Sequence, residues 1–469
     1  MTETSRAVSA AGPAGAYGLR NLARFSRDQL RFLRELADEY GDVVEMRVFG
    51  APWFVLNHPA EIEEVFVKQN KAMGRDGYIV ILRRALGMGL LTNEGESWKR
   101  QRKLMAGAFT PKRIASYGDT MVEVTKRELG SWRGGETLSL HDEMSRITME
   151  VVAAVLFGTS VGPEGVDVVR HSMEVLNEYF ANSPEAMLKL PAWVPTPLNR
   201  RVSRAVADLD ALVFEIIAER RQSGELRNDL LGTLLAAQDD DGSGMTDQQL
   251  RDEAITLFLA GHETTALLLA HTFYFLSKQP GVERQLRAEI EQVLEGRTPT
   301  AADVSRLPYA ERVLKESMRL LPPAWTTGRE ALEDVDINGV HIPKGAQILI
   351  SQWVVHRDPR FFPNPEGFDP DRWLPERAKS IPRYAYFPFG GGPRVCIGNH
   401  FALMEATLVM AAIMQRFHVE LLPGQRLELK PSVTLRQKRA LKILIRDAEQ
   451  PTRATTGLVS ASTRGSRGW

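Results

Sequence analysis

The segment Phe389-Gly390-Gly391-Gly392-Pro393-Arg394-Val395-Cys396-Ile397-Gly398 holds the only cysteine among 469 residues. The residues after it have a helical pattern, so the sulfur stands where a glycine-rich loop enters a helix N-terminus. Such a position stabilises an anion, which predicts a lowered pKa for the Cys396 thiol. A lone cysteine is more often a buried apolar residue, and beside a histidine base it can be a nucleophile. The glycines favour a third role, a metal ligand under a flat macrocycle, because a Cβ would hold the ring away.

The pattern Phe389-x-x-Gly392-x-Arg394-x-Cys396-x-Gly398 resembles the haem-binding signature of the cytochrome P450 superfamily at every fixed position. The resemblance extends over nearly the whole chain. It implies a fold that is mainly α with a minor β portion and a long central helix, and it implies haem b as the cofactor. It also implies that Cys396 is the axial ligand of the haem iron and that Phe389, Arg394 and Gly398 contact the haem.

Composition and charge narrow the function classes. Lysine plus arginine equals aspartate plus glutamate at 59 each, so the net charge does not indicate a nucleic-acid partner. One cysteine excludes an intramolecular disulfide and fits a reducing compartment. No apolar run reaches about 18 residues and no secretory signal is evident, so we expect no integral membrane anchor and a cytoplasmic location. We also expect a monomer. Composition predicts a disordered segment at 1–16, a single domain at 17–447 and a disordered tail at 448–469.

Apolar periodicity predicts a mostly helical chain. The clearest helix extends from Thr246 to about Lys278, with a capping box at Thr246 and Gln249 and a stop at Pro280. Other expected helices cover residues 28–37, 59–69, 95–107, 115–133, 141–157, 167–182, 198–223, 227–237, 281–294 and 308–320. Expected strands cover residues 43–49, 53–56, 335–337, 341–342 and 347–350.

The middle of the long helix reads Ala260-Gly261-His262-Glu263-Thr264-Thr265. A glycine, a buried acid and paired threonines all disfavour a helix interior, and local rules that fail together indicate a functional site. The alternative is a packing notch at Gly261 with Glu263 in a structural ion pair. The segment resembles the superfamily's oxygen-binding motif, which implies that Glu263 lies on the proton-delivery path and that Thr264 donates a hydrogen bond at the oxygen site. Ala260 and Gly261 would then contact the haem.

Two further motifs gain meaning from the resemblance. Glu316 and Arg319 would ordinarily form a surface ion pair at i,i+3 spacing, but they resemble the superfamily's buried Glu-x-x-Arg pair, with Arg372 as the third member. Trp98 and Arg102 share a helix face, which could simply be a basic amphipathic surface. The resemblance makes these two residues ligands of the haem propionates, together with Arg329 and Arg394.

Taken with the resemblance, the sequence predicts a haem-thiolate monooxygenase that hydroxylates or epoxidises a lipophilic molecule such as a terpenoid, a steroid-like compound or a fatty acid. O2 and two electrons from a separate ferredoxin, or a flavodoxin, and its reductase would support the reaction. Basic residues expected to contact that partner are Arg100, Lys103, Lys112 and Arg113, and Arg83 and Arg84 are expected to be able to meet a substrate carboxylate. The alternatives are a peroxide-driven peroxygenase, a non-catalytic haem sensor or carrier, and a thiol hydrolase.

Overall fold

The computed structural model describes residues 10–15, 17–158, 162–180, 193–224, 227 and 229–448. Helices dominate, which confirms the prediction of a mainly α fold with a minor β portion. In chain order the α-helices are α1 Leu19–Arg27, α2 Gln29–Tyr40, α3 Pro59–Glu63, α4 Gly77–Ile81, α5 Arg83–Leu86, α6 Gly95–Ala106, α7 Pro111–Ser116, α8 Gly118–Leu129, α9 Leu140–Phe157, α10 Gly162–Phe180, α11 Pro197–Ser223, α12 Leu230–Ala236, α13 Asp247–Lys278, α14 Pro280–Leu294, α15 Pro308–Leu320, α16 Gln352–Val355, α17 Pro375–Ala378 and α18 Asn399–Arg416.

The strands form small sheets at the edge of the helical body. They are β1 Val43–Val48, β2 Ala51–Leu56, β3 Met73–Gly74, β4 Thr137–Ser139, β5 Thr327–Ala331, β6 Val335–Ile337, β7 Val340–Ile342, β8 Gln347–Ile350, β9 Phe417–Leu421, β10 Leu429–Pro431, β11 Leu435–Gln437 and β12 Lys442–Asp447. The largest sheet has the order β1-β2-β8-β5-β3, in which only β2 and β8 are parallel. A second sheet has the order β4-β12-β9, and β6–β7 and β10–β11 are two-stranded.

Helix α13 is the central helix of the fold. Its capping box forms as predicted, because the Thr246 side chain accepts from the Gln249 N–H and the Gln249 side chain accepts from the Thr246 N–H. The helix packs most extensively against α9 and also contacts α11, α15 and α18. Most of its side chains from Leu250 to Leu276 are buried, as expected of a helix surrounded by others. It therefore holds the Ala260–Thr265 motif rigidly at the centre of the molecule.

Residues 351–388, which we call the connecting segment, lead from β8 towards the cysteine. This segment contains only the four-residue helices α16 and α17 and short 3-10 turns at Pro370–Trp373 and Arg383–Ala385. It is followed by the cysteine loop, Phe389–Gly398, which enters helix α18. Order in this part of the chain must come from contacts with other elements, because little regular secondary structure is present to supply it.

Some element predictions were wrong in detail. The helix expected over 115–133 is interrupted between α7 and α8, where a Cβ at Gly118 would come within 2.7 Å of the Ala301 Cβ. Helix α1 was not predicted. The expected disordered N-terminal segment lies mostly outside the described residues, and within the described part Ala11 pairs with Val44 of β1. The expected C-terminal tail lies outside the described residues beyond Ala448.

Candidate functional site

The cysteine loop is fixed by its own backbone and by a neighbouring helical turn. The Cys396 N–H donates to the Phe389 carbonyl at 3.0 Å, and the Val395 N–H donates to the Gly392 carbonyl at 3.1 Å. Gly392 has a φ of 64°, and a Cβ there would lie 1.8 Å from the Phe66 carbonyl oxygen. Glycine is therefore required because the loop packs against Phe66. From the sequence we had expected that the glycines allow a macrocycle, and not Phe66, to come close to the loop.

The thiol of Cys396 is exposed, although protein surrounds it closely. Burial raises the pKa of the Cys396 thiol, while a hydrogen bond from the Gly398 N–H and the charge of Arg102 act in the opposite direction. The prediction of a lowered pKa was wrong for the protein alone, because the sequence showed the helix terminus but not the depth of burial. Because the Cys396 side chain is accessible although protein surrounds it, this side chain borders an opening inside the molecule.

The central helix has a matching accessible strip. Leu257, Ala260, Gly261 and Thr264 are partly or fully accessible, whereas Phe258, His262, Glu263 and Thr265 beside them are buried and Leu259 is half-buried. These positions are spaced i, i+3, i+4 and i+7, so they lie on one face. Ala260, which lies in the middle of a 32-residue helix, is classed as exposed. The strip therefore faces an interior opening, and its residues from Ala260 onward are small.

The contacts of the Ala260–Thr265 motif bear on both interpretations of it, as an oxygen-binding motif and as a packing notch with a structural ion pair. The Thr264 hydroxyl donates to the Ala260 carbonyl at 2.7 Å, as expected for a threonine that can loosen its helix. Val152 of α9 lies 3.5 Å from the position of a Cβ on Gly261, which is an ordinary contact distance, so packing against α9 does not by itself require glycine here. His262 does not face the accessible strip. Its Nε2 contacts the Ser145 hydroxyl of α9 at 2.9 Å, and burial lowers its pKa to about 4.

Glu263 is buried and held in a bidentate ion pair. Arg436 of β11 donates from Nε to Oε1 at 2.7 Å and lies 2.6 Å from Oε2 through Nη2. The Thr434 hydroxyl donates to the same Oε1 at 3.3 Å. Burial by itself would raise the pKa of the Glu263 carboxyl, but the charge of Arg436 and the smaller contributions of His262 and His141 outweigh it and the pKa is lowered. Glu263 is therefore ionised at neutral pH.

A group of arginines gathers beside the cysteine loop. The Arg394 guanidinium lies 4.3 Å from the centre of the Trp98 ring and donates to the Asn93 carbonyl at 3.0 Å. Arg329 is buried against Phe66, and its Nη1 donates to the Gly328 carbonyl at 2.7 Å. Burial and the charge of Arg394 lower the pKa of Arg329 to about 10. Burial also lowers the pKa of Arg102, opposed by the charge of Cys396.

Arg75 completes this group, and the sequence argument missed it. Burial, then the charges of Arg394 and Arg329, hold its pKa well below the ordinary value. Its Nη2 donates to the Leu90 carbonyl at 3.3 Å, while its buried Nε has no hydrogen-bond partner among the described residues. Like charges that repel one another in a buried place indicate a site for anions. No pattern around Arg75 marks it, because Arg394 lies 319 positions away in the chain.

Glu316 is the centre of a fully buried polar network, which excludes the surface ion pair. Its carboxylate accepts from Arg319 at 2.8 and 2.9 Å, from Arg372 at 3.3 Å and from the Trp373 indole at 3.0 Å. The same arginines donate to carbonyls of the connecting segment at His356, Pro363, Asn364, Pro365 and Gly367. The network thereby fixes the segment that leads to the cysteine loop.

Four basic residues that the sequence suggested for contacts with a substrate or a redox partner instead pair with other groups of this protein. Arg83 donates to the Thr92 carbonyl at 2.9 Å and lies 3.2 Å from Glu94, and Arg84 is held by Asn199. Neither is therefore available to a substrate carboxylate. Arg100 pairs with Asp239, and Lys103 pairs with Asp239 and Asp240. These acids lie between α12 and α13 and neutralise a surface that was expected to be basic.

Comparisons with known proteins identify the family to which the chain belongs. A profile of the Cytochrome P450 family matches residues 12–444. The chain is 39% identical to cyclooctatin synthase of Streptomyces melanosporofaciens, over 87% of this chain and 90% of that protein. It is 38% identical to cyclooctat-9-en-7-ol 5-monooxygenase of the same organism, over 86% and 87%. Identity to pentalenene oxygenase of Streptomyces avermitilis is 32%, over 89% and 92%.

Solved structures give the same result. A cyanobacterial relative with bound retinoic acid superposes with a TM-score of 0.82 at 29% identity, covering 94% of this chain and all of that one. The haem domain of cytochrome P450DA superposes with a TM-score of 0.84 at 26% identity, covering 94% and 98%. In the part of the chain that the structure describes, no helix has both the length and the apolar character needed to cross a bilayer.

Proposed function

The chain belongs to the cytochrome P450 family and is a haem-dependent monooxygenase, and we propose that it hydroxylates a terpenoid with Cys396 as the axial ligand of the haem iron. The observation that carries the assignment of the ligand is the accessible thiol in a rigid loop, beside a cluster of arginines and within a fold whose central helix exposes a strip of small residues. Cys396 is the only cysteine, so no other thiolate can take this place.

The residues present fit haem. A flat macrocycle needs one axial ligand, an uncrowded face and partners for two carboxylates. Cys396 supplies the ligand, and the Ala260, Gly261 and Thr264 strip supplies a face without bulky side chains. Arg75, Arg102, Arg329 and Arg394, with Trp98, would hold the two propionates, and the unpartnered Nε of Arg75 is one donor still to be satisfied. When bound, the haem supplies the iron that activates O2.

Ligation requires the Cys396 thiolate although burial raises the pKa of the thiol. A metal ion replaces the proton when it binds, so the raised pKa makes ligation more dependent on pH but does not prevent it. The Gly398 N–H and the charge of Arg102 both stabilise the ionised sulfur. Phe389 closes the loop by accepting from the Cys396 N–H through its carbonyl. The Gly398 N–H and Arg102 therefore oppose the effect of burial, and the Phe389 carbonyl fixes the backbone that carries the sulfur.

Glu263 and Thr264 would supply protons. Hydroxylation inserts one oxygen atom of O2 into a C–H bond and releases the other as water, which consumes two electrons and two protons. Glu263 can take protons at Oε2 from the solvent side, because the Arg436 side chain that contacts it is 26% exposed. To deliver them it must leave Arg436 and turn towards Thr264. The Thr264 hydroxyl, now donating to Ala260, must rotate to donate towards the oxygen site.

The substrate class follows from the relatives and from the lining. The printed names of the similar Streptomyces proteins refer to cyclooctatin, cyclooctat-9-en-7-ol and pentalenene. The accessible strip of the central helix offers Leu257 and Ala260 and no charge, and Arg83 and Arg84 are bound elsewhere. A cyclic terpene or terpene alcohol suits such walls better than a fatty acid, whose carboxylate would lack a partner there.

The electron donor would be a separate ferredoxin that docks beside the cysteine loop. Arg100 and Lys103 are paired with acids, so exposed Lys112 is a better candidate than either for a contact with the ferredoxin. Electron transfer from a surrogate ferredoxin and from a flavodoxin, compared with Lys112→Glu, would test both donor and surface. The proposal expects faster reduction by ferredoxin, and a Lys112→Glu chain reduced as fast as the unaltered one would contradict the surface.

The decisive experiment is the spectrum of the reduced protein with carbon monoxide, compared with that of Cys396→Ser. A Soret band shifted far to the red, lost in the variant, is expected for thiolate ligation. An unshifted band in the unaltered chain would overturn it. Turnover of cyclic diterpene alcohols, sesquiterpenes and fatty acids with a surrogate ferredoxin system then tests the substrate class. Turnover with hydrogen peroxide but not with the reductase system would support the peroxygenase instead, and haem binding without turnover would support a sensor.

A further inference from the structure

Residues 87–93, which we call the covering loop, lie against the central helix α13. The Met88 N–H donates to Asp252 Oδ2 at 2.8 Å, and the Leu90 N–H donates to Glu253 Oε2 at 2.9 Å. Met88 is 44% exposed, whereas Leu90 beside it in the loop is buried. The covering loop is therefore a single layer of chain between this part of α13 and the solvent.

The part of α13 beneath the covering loop is continuous with the accessible strip. Glu253 lies four positions before Leu257 and seven before Ala260, so the three residues share one face of the helix. A Cβ on Gly89 would stand 2.1 Å from the Thr256 hydroxyl oxygen, which lies about one turn before Ala260. The covering loop therefore closes the end of the strip that lies towards the N-terminus of α13.

The covering loop is held together by its own hydrogen bonds, so it can move as one body. The Thr92 and Asn93 N–H groups donate to the Gly89 carbonyl at 3.0 and 2.9 Å. Away from α13, the Gln101 side chain donates to the Met88 carbonyl at 2.9 Å, which keeps the loop attached to α6. Release from α13 would therefore turn the loop about its remaining contacts without unfolding it.

The Glu253 carboxyl makes this contact sensitive to pH. The side chain is fully buried, and its Oε1 has no hydrogen-bond partner among the described residues. Burial raises the pKa of the Glu253 carboxyl to about 8, while the hydrogen bond from the Leu90 N–H opposes this change and the charge of Asp252 adds to it. With the covering loop closed, Glu253 is therefore mostly protonated at neutral pH.

No cation pairs with Glu253 in the part of the chain that the structure describes. Arg251 on the same helix pairs instead with Asp252 at 2.9 Å and with Asp210 of α11. The other cations on the surrounding elements also have partners of their own, and they are Arg75, held by the Leu90 carbonyl, and Arg83 and Arg84 of α5, held by Thr92 and Asn199. Ionisation of Glu253 would therefore place two carboxylates side by side with only Asp252 paired.

We propose that substrate enters beneath the covering loop and that Glu253 holds this loop closed only while its carboxyl is protonated. When the loop turns away, water reaches the carboxyl and its pKa returns towards the ordinary value of about 4.3. Opening therefore becomes about tenfold more favourable with each pH unit from there to about pH 8, and it is constant above pH 8. Glu253 is thus a positioning residue that acts through the loop. The role in substrate entry rests on the proposed function, whereas the opening itself does not.

Hydrogen exchange of the full-length holoenzyme, followed by mass spectrometry on peptides that span the covering loop, measures this opening. After correction for the intrinsic pH dependence of exchange, the rate at these amides should rise by about tenfold or more from pH 6 to pH 8. In Glu253→Gln it should not change with pH, because the amide cannot ionise. The binding rate of cyclohexyl isocyanide, an uncharged ligand of reduced haem iron, should follow the same pattern in stopped-flow measurements.

Two further variants separate the covering loop from general effects of pH. Gly89→Ala places a methyl group against Thr256 and should keep the loop away from α13, so that exchange is fast and independent of pH. Glu289→Gln is the matched control, because Glu289 also accepts from two backbone N–H groups and has a pKa raised by burial, but it lies on α14 beside Tyr309. This control should keep the pH dependence of the unaltered chain.

The outcomes that would overturn the proposal are distinct from a failure of the proposed function. Exchange in the covering loop that is constant from pH 6 to pH 8, or that changes equally in Glu253→Gln, would exclude Glu253 from control of the loop. Loss of the pH dependence in Glu289→Gln would do the same, because the opening would then be global. Opening without a matching change in the isocyanide rate would exclude substrate entry at this place. Exchange does not depend on thiolate ligation, so it remains decisive whatever the haem spectrum shows.

Discussion

The ion pair between Glu263 and Arg436 provides the sharpest test of the electrostatics at this site. Arg436→Gln removes the bidentate partner and leaves a carboxylate that is only 5% exposed. Breaking a buried pair on one side costs about 3–5 kcal/mol. Because the Arg436 side chain is 26% exposed, water can reach part of the gap, and we expect about 2–3 kcal/mol. In a domain of this size that corresponds to a thermal midpoint lowered by about 2–3 °C.

The loss of stability in Arg436→Gln should also depend on pH. In the unaltered chain the pKa of Glu263 is lowered, so its contribution to stability is present above about pH 4.3 and is lost only as the pH falls through the folded pKa. Without Arg436, burial dominates and the folded pKa lies above the unfolded one. The carboxyl then penalises folding increasingly as the pH rises. The difference in midpoint between the two proteins should therefore widen from pH 5 to pH 8.

Scanning fluorimetry of the holoenzymes at several pH values measures both effects. Glu263→Gln combined with Arg436→Gln should recover most of the lost stability, because no buried charge remains. Arg439→Gln is the matched control, since Arg439 is 79% exposed and only 3.9 Å from Glu428 at its closest approach. It should stay within about 0.5 kcal/mol of the unaltered chain. A midpoint gap that stays constant or narrows with rising pH would refute the assigned charge of Glu263.

The remaining predictions concern the haem side of the site and its support. Arg75→Ala should release haem to apomyoglobin about tenfold faster than the unaltered chain, and Arg75→Lys should be intermediate, since one charged contact to a propionate is at stake; equal release rates would exclude Arg75 from the site. Thr264→Val preserves shape but removes the hydroxyl, so hydroxylated product per O2 consumed should fall at least fivefold while peroxide rises; an unchanged ratio would contradict its role. Glu316→Gln leaves Arg319 and Arg372 without a carboxylate and should destabilise the protein by about 3–5 kcal/mol, whereas Glu311→Gln, in an i,i+4 pair with Lys315 on the same helix, should have little effect in the same thermal scan.

Local signals in the sequence were enough for the long helix and the loops that carry motifs. The limits of α13 were predicted within one residue because a capping box and a proline lie at its ends. By contrast, β5, which contains Arg329, was not predicted, since its sequence Thr-Gly-Arg-Glu-Ala has little β propensity and pairs only because β8 lies beside it. Strand identity there is decided by the neighbour and not by the residues themselves.

Long-range pairing explains most of what the sequence could not predict about the site. Arg436 lies 173 positions from Glu263, and no local sequence pattern near either residue predicts their ion pair. The acids at 239 and 240 neutralise Arg100 and Lys103 only because their loop folds back onto α6. Likewise, the direction of the Cys396 pKa depends on burial, which is a property of the assembled structure. The Glu316 network was foreseeable only through resemblance, since an i,i+3 pair is ordinarily exposed.

The connecting segment has a consequence for how the length of this chain can vary. Its carbonyls at His356, Pro363, Asn364, Pro365 and Gly367 accept from the guanidinium groups of Arg319 and Arg372, and of these the Asn364 carbonyl also accepts from the Gly367 N–H. In a helix or hairpin an inserted residue can be absorbed by a slip of register, but here each carbonyl is matched to a particular arginine side chain. A single insertion would displace several partners at once and move the cysteine loop with them. Residues 351–398 should therefore be the stretch of the chain least able to gain or lose a residue during evolution.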